Sequence, residues 1–256
     1  PNQPLNSTGG NNHMQAVAGI MVGKIVTNST NSLAATARGL APNATAKTYD
    51  WDNDLSEMTS FAADGFLISN HSYGAANDNT IPVWQFGAYD SSAKSWDMLL
   101  KNTPNYLPFV AGGNEQMSNG NMSAAGFDIM TGSSASKNVV TVGAIDLDNS
   151  MSDYSNWGPT DDGRVKPDIV TLGSEINAPL YAGNNTYTGV VASSSGTSYA
   201  APAAAAAGLL LQQYYKSIFG IYMKASSLKA LMLHTADEAG NAGPDAKFGW
   251  GILNVE

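Results

Sequence analysis

Ser198 sits in Ser195-Gly196-Thr197-Ser198-Tyr199-Ala200-Ala201-Pro202, and an uncharged run from Ala203 to Leu211 follows. A hydroxyl between a glycine turn and an apolar helix start is well placed to be a nucleophile. The first turn of a helix offers unpaired N–H groups and a positive dipole end, and both favour negative charge near the serine oxygen. Gly196 lets another chain approach closely, and Pro202 is tolerated in a first helical turn. Without further context, a buried small-residue helix with an N-cap serine is the simpler reading. A serine hydroxyl is also a poor nucleophile at neutral pH unless a base stands within hydrogen-bond reach and a third group holds that base. The chain offers His13, His71 and His234 as bases. His13 opens a predicted helix, where an exposed polar residue is equally ordinary. His71 ends a predicted strand, and His234 lies at an apolar helix end that suits capping or core packing. Asn114 follows Gly112 and Gly113, a pattern that also describes a turn.

These groups need a scaffold, and the pattern of apolar runs supplies one. Residues 44–49, 66–70, 107–111 and 139–145 read as buried strands. Helices are predicted over 13–22, 55–64, 90–102, 200–215 and 226–235. Strand–helix alternation implies an α/β fold: three layers, a mostly parallel central sheet, helices on both faces. No repeat or linker interrupts it, so residues 1–256 read as a single domain. Ligands in such sheets gather beyond the carboxyl ends of the strands. Ser72 to Gly74 and Gly112 to Asn114 both follow predicted strand ends.

Composition narrows the function classes. Charged residues make up 13% of the 256 residues, apolar ones 43%, and the net charge is −9. Arg38 and Arg164 are the two arginines. This balance argues against nucleic acid and anionic membrane as partners. The longest apolar stretch, Tyr199 to Leu211, is too short to span a bilayer. With no cysteine, disulfides, cysteine nucleophiles and zinc–thiolate sites are excluded. Asn-x-Ser/Thr sites at Asn6, Asn28, Asn43, Asn70, Asn121 and Asn184 are expected by chance in a chain rich in these residues. The acidic runs 50–54 and 146–149 read as solvated turns, with an acidic subsite or calcium loop as the sharper alternative.

Gly196-Thr197-Ser198 followed by Ala200 and Pro202 resembles the serine motif of the subtilases, the subtilisin-like serine peptidases. His13-Met-Gln-Ala-Val17-Ala18-Gly19 is similar to the family's histidine motif at His13, Val17, Ala18 and Gly19. Further segments resemble the family in its own order: 38–44, Ser72-Tyr73-Gly74, Ala111-Gly112-Gly113-Asn114, 154–159, Lys166-Pro167-Asp168 and 248–254. The resemblance implies a secreted serine endopeptidase acting on polypeptides through an acyl-enzyme. Ser198 would be the nucleophile, His13 the general base and Asn114 a donor to the oxyanion, with the Ser198 N–H as second donor. Ser72, Tyr73, Gly74, Ala111, Gly112 and Gly113 would bind an extended peptide by backbone pairing. No cofactor is required. Subtilases often bind calcium, but no site for it is located here.

The family's triad also has an aspartate upstream of the histidine, and none of the twelve residues before His13 is acidic. The expectation is therefore an N-terminally incomplete domain whose aspartate lies on an upstream segment. That segment, once cleaved, is itself a candidate partner, and the polar stretch 1–12 suits a nick. Two alternatives stand beside it: a catalytically decayed subtilase fold kept for binding or scaffolding, and a Ser–His enzyme with an unrelated orienting group. An α/β-hydrolase reading fails because Ala200 stands where the second glycine of Gly-x-Ser-x-Gly belongs.

Overall fold

The computed structural model describes residues 12–24, 37–75, 77–121, 124–179 and 191–256. Apart from Asn12, the stretch 1–12 lies outside them, as do Asn6, Asn28 and Asn184. Helices run over Asn12–Val22 (α1), Asp54–Ala63 (α2), Ser91–Asn102 (α3), Thr197–Phe219 (α4) and Ala225–His234 (α5). Strands are Ile68–His71 (β1), Leu107–Ala111 (β2), Val140–Ile145 (β3), Ile169–Leu172 (β4), Ile176–Pro179 (β5) and Val191–Ser194 (β6).

β1 to β4 form a parallel sheet in the order β1-β2-β3-β4. The period-two geometry of a strand sends successive side chains to opposite faces. In β2, Leu107 and Phe109 enter a cluster with Ala200, Ala204, Leu228 and Met232 of α4 and α5. Val110 enters another with Met58 of α2 and with Trp96 and Leu100 of α3. Helices thus cover both faces, which is the three-layer α/β arrangement the pattern implies. The alanines of α4 let the helix lie close to the sheet; even Gly208 leaves only 3.0 Å between an added Cβ and Phe109. α1 packs through Ala16 and Ile20 against Ala178, with Tyr199 and Ala203 of α4 at the margin. Its Gly19 is obligatory, because a Cβ there would lie 2.2 Å from the Pro179 ring.

The structure corrects several sequence expectations. Residues 44–49 form no strand, and 45–48 are exposed. Half that run is polar, and no neighbouring strand among the described residues offers it a ladder. β4 and the antiparallel hairpin β5–β6 were not predicted. Strands of four residues are too short to show alternation, and β4 begins two residues after Pro167. α4 starts three residues earlier than expected, which places Pro202 inside the helix rather than in its first turn.

Candidate active site

Because β1 and β2 run parallel, their carboxyl ends lie at the same edge of the sheet. Ser72 to Gly74 leave β1 there, Gly112 to Asn114 leave β2, and α4 begins beside them. Tyr73, Gly74, Ala111, Gly112, Gly113, Asn114, Thr197 and Ser198 all line one pocket of about 200 Å3. No lysine or arginine lines it.

The bonds around Ser198 follow from the sequence of α4. Pro202 has no N–H, so the Ser198 carbonyl loses the donor that position i+4 normally supplies. Ser72 replaces it: its hydroxyl donates to the Ser198 carbonyl at 2.8 Å and accepts from Asn70 Nδ2 at 2.9 Å. In return the Ser198 hydroxyl donates to the Ser72 carbonyl at 3.3 Å. The two serines are therefore locked to one another across the sequence.

Asn114 acts as a cap supplied from another part of the chain. Its Oδ1 accepts from the Thr197 N–H at 2.8 Å and from the Thr197 hydroxyl at 3.0 Å. A backbone N–H can only donate, so the amide orientation is decided: oxygen toward Thr197, Nδ2 away. Among the described residues neither Asn114 Nδ2 nor the Ser198 N–H has an acceptor. Thr197 closes the loop, since its hydroxyl accepts from the Gly113 N–H at 3.1 Å.

A second layer, which the sequence reading did not assign, holds Asn114 in place. Glu115 accepts through one carboxylate oxygen from the Asn114 N–H and from Asn156 Nδ2, both at 2.9 Å. Asn156 Oδ1 accepts from the Glu115 N–H at 2.8 Å, and the Asn156 N–H donates to the Gly113 carbonyl at 3.0 Å. Asn156 is fully buried. Gly113 has φ +108°, and a Cβ there would come within 2.2 Å of Asn156 Nδ2, so only glycine fits. The signal was present in the family-like segment 154–159, but nothing in one dimension says that it lies beneath residue 114.

His13 stands apart from this bonded group. It is exposed at the start of α1 and does not line the pocket. It approaches the site through Tyr199, the residue after Ser198, with ring centroids 5.8 Å apart in an edge-on contact. Desolvation by its surroundings lowers its pKa from 6.5. His71, the second histidine, is buried and tied to Ser69 and Tyr73. His234, the third histidine, is the last residue of α5 and does not line the pocket. The acidic run 50–54 gathers no metal cluster: among the described residues no three His, Asp or Glu converge on one point. Asp54 instead accepts from the Tyr73 hydroxyl.

Comparison with known proteins agrees with this architecture. A family model described as the subtilase family matches residues 1–251. Among solved structures, the chain is similar to the prenylagaramide maturation protease PagA. The two share 21% identity and a TM-score of 0.68, over 95% of this chain and 80% of that one. The patellamide maturation protease PatA gives 22%, 0.66, 93% and 79% in the same terms. The patellamide maturation protease PatG gives 18%, 0.69, 95% and 65%. At such identities the structural likeness establishes the fold. With the family model matching nearly the whole chain, the protein belongs to the subtilase family.

Proposed function

We propose that the protein is a serine endopeptidase, with Ser198 as nucleophile, His13 as general base and Asn114 as oxyanion donor. The observation that carries this reading is the pair of N–H donors left open beside the Ser198 hydroxyl. An acyl-transfer site needs donors aimed where charge develops, and Thr197 fixes the carboxamide so that its nitrogen remains available. The names of the structural neighbours, two of them maturation proteases and one a PatG macrocyclase solved with a peptide, support a polypeptide substrate.

In the reaction, the Ser198 oxygen attacks the peptide carbonyl carbon while its proton passes to the imidazole of His13. The carbonyl oxygen takes the negative charge and accepts from the Ser198 N–H and Asn114 Nδ2. Collapse breaks the C–N bond, and the imidazolium returns the proton to the departing amine. Water then repeats the sequence on the ester. For the first step the Ser198 hydroxyl must leave the Ser72 carbonyl and meet the imidazole of His13; such contacts commonly tighten only when substrate binds. No residue is assigned as the carboxylate that would orient His13.

Labelling by a serine-directed fluorophosphonate tests the proposal. Modification at Ser198 is expected, with a rate that rises with pH. The base acts only when unprotonated, and a lowered pKa keeps it unprotonated to lower pH. The midpoint for this chain is therefore expected below 6.5, and a carboxylate brought beside the imidazole would move it upward. A flat profile between about pH 5 and about pH 8 would remove His13 from the mechanism. Asn114→Ala is expected to lower kcat by about 10²- to 10³-fold with little change in KM, since the amide donates mainly in the transition state.

One observation favours a second reading, a decayed subtilase fold kept for binding: His13 is exposed and does not line the pocket that Ser198 lines. A folded protein that stays unlabelled when an aspartate-bearing segment is supplied would establish that reading instead.

A further inference from the structure

We infer that Asp54 is a positioning residue for peptide binding, acting through Tyr73 and His71 on the segment that forms the pocket wall. The inference rests on the peptidase reading for its substrate. It does not rest on it for its geometry.

Four side chains form an unbroken line: Ser69 to His71 Nε2 at 2.7 Å, His71 Nδ1 to the Tyr73 hydroxyl at 2.6 Å, and that hydroxyl to Asp54 Oδ1 at 2.7 Å. Proton counting gives the line a single direction. The Tyr73 phenol has one proton, and it goes to the Asp54 carboxylate. The His71 Nδ1 must therefore donate to the phenol oxygen, its Nε2 must accept, and Ser69 must donate to it. This requires a neutral imidazole. Burial lowers the His71 pKa to about 3, so the ring is uncharged throughout the working range. Trp96 packs edge-on against it with centroids 4.8 Å apart and excludes water.

The two ends of this line sit in different elements. Asp54 opens α2, where the positive end of the helix favours a carboxylate. His71 ends β1, and Tyr73 lines the pocket. Ser72 lies between the two tethered residues. Both neighbours of the residue that meets Ser198 are thus wired, through side chains, to a carboxylate on another helix. Ser198 itself is held by other bonds, from the Ser72 hydroxyl to its carbonyl and from the Thr197 N–H, its chain neighbour, to Asn114. The arrangement divides the work: one set of bonds holds the nucleophile, and the Asp54 line fixes the edge along which a peptide would lie. That edge is only two residues past the end of the sheet, so without the tether its backbone is free to tilt away.

The test uses two readouts on the whole chain. Fluorescence polarisation of fluorescein-labelled unfolded casein on the Ser198→Ala protein measures peptide affinity without turnover. The labelling rate with a small alkyl fluorophosphonate measures serine reactivity without an extended peptide. Adding Asp54→Ala is expected to weaken casein binding about tenfold, the scale of losing a hydrogen bond to a charged acceptor. The same substitution should leave the small-probe rate unchanged. Asp54→Asn keeps an acceptor oxygen and is expected to recover most of the affinity, whereas a purely structural defect would lower affinity and labelling together. Unchanged casein affinity in Asp54→Ala, or equal losses in both readouts, overturns the inference. Casein binding that depends on Asp54 in a protein whose serine never labels upholds it and sinks the peptidase reading alone.

Discussion

Ser198→Ala is expected to abolish fluorophosphonate labelling and to lower peptide-hydrolysis kcat by about 10⁶-fold, the loss seen when the nucleophile of a serine–histidine site is removed. The size of the drop depends on the orienting carboxylate. Where it is missing, the starting rate is already lower by about 10⁴, and the further loss on removing the serine shrinks to about 10². Measuring the variant with and without an aspartate-bearing segment therefore reports on the whole triad. Folding should survive the change. The lost hydroxyl contributes only the 3.3 Å contact to the Ser72 carbonyl, whereas the bond that satisfies the Ser198 carbonyl comes from Ser72 and remains. Unfolding by urea should confirm a loss below about 1 kcal/mol. Residual labelling elsewhere on the chain, or unchanged hydrolysis, would remove Ser198 from the proposal.

The second large effect concerns stability. Asp168 is buried between Lys166, at 2.6 Å, and Lys229, at 2.7 Å. One of its oxygens also accepts from the Thr141 N–H at 2.7 Å, and Lys166 donates to the Thr141 hydroxyl at 2.9 Å. Asp168→Asn leaves an uncompensated ammonium at Lys166, whose side chain is 2% exposed. The expected loss is about 3–5 kcal/mol by urea unfolding. Adding Lys166→Met should restore part of it, because the buried charge is then gone. Burial alone would raise the Asp168 pKa, but the two lysines together outweigh it and hold the carboxyl below its ordinary value. A depressed carboxyl contributes stability above its unfolded pKa and loses that contribution as pH falls through the folded one. The gap between wild type and Asp168→Asn should accordingly close in acid. The consequence reaches the site, since the Thr141 hydroxyl donates to the Ser134 carbonyl at 2.7 Å and Ser134 lines the pocket.

Helices were legible where small and apolar residues recur on one face, as in α1 and α3, and strands where apolar runs are long, as in β2 and β3. Residues 44–49 misled because a short run of apolar and polar residues becomes a strand only if a partner strand stands beside it. β4 and the β5–β6 hairpin stayed hidden for the converse reason: four residues acquire strand geometry from their neighbours and carry no period of their own. Pro202 misled in a more informative way. Its place inside α4 is acceptable only because the Ser72 hydroxyl, 126 positions earlier, takes over the missing N–H.

What the chain determined by itself was the set of chemical groups: a serine after a glycine at a helix start, glycines at 112 and 113, an asparagine next to them, and a histidine ahead of small residues. Those features are local, because helix starts, tight turns and close approach depend on residues adjacent in sequence. What the tertiary structure decided was which ends of those groups remain available. Oδ1 of Asn114 is occupied and Nδ2 is open because Thr197, on another element, offers a donor at the right place. Tyr73 points its proton at Asp54 because α2 begins beside the end of β1. Hydrogen bonds over such separations are set by how helices and strands pack, and no spacing along the chain encodes them.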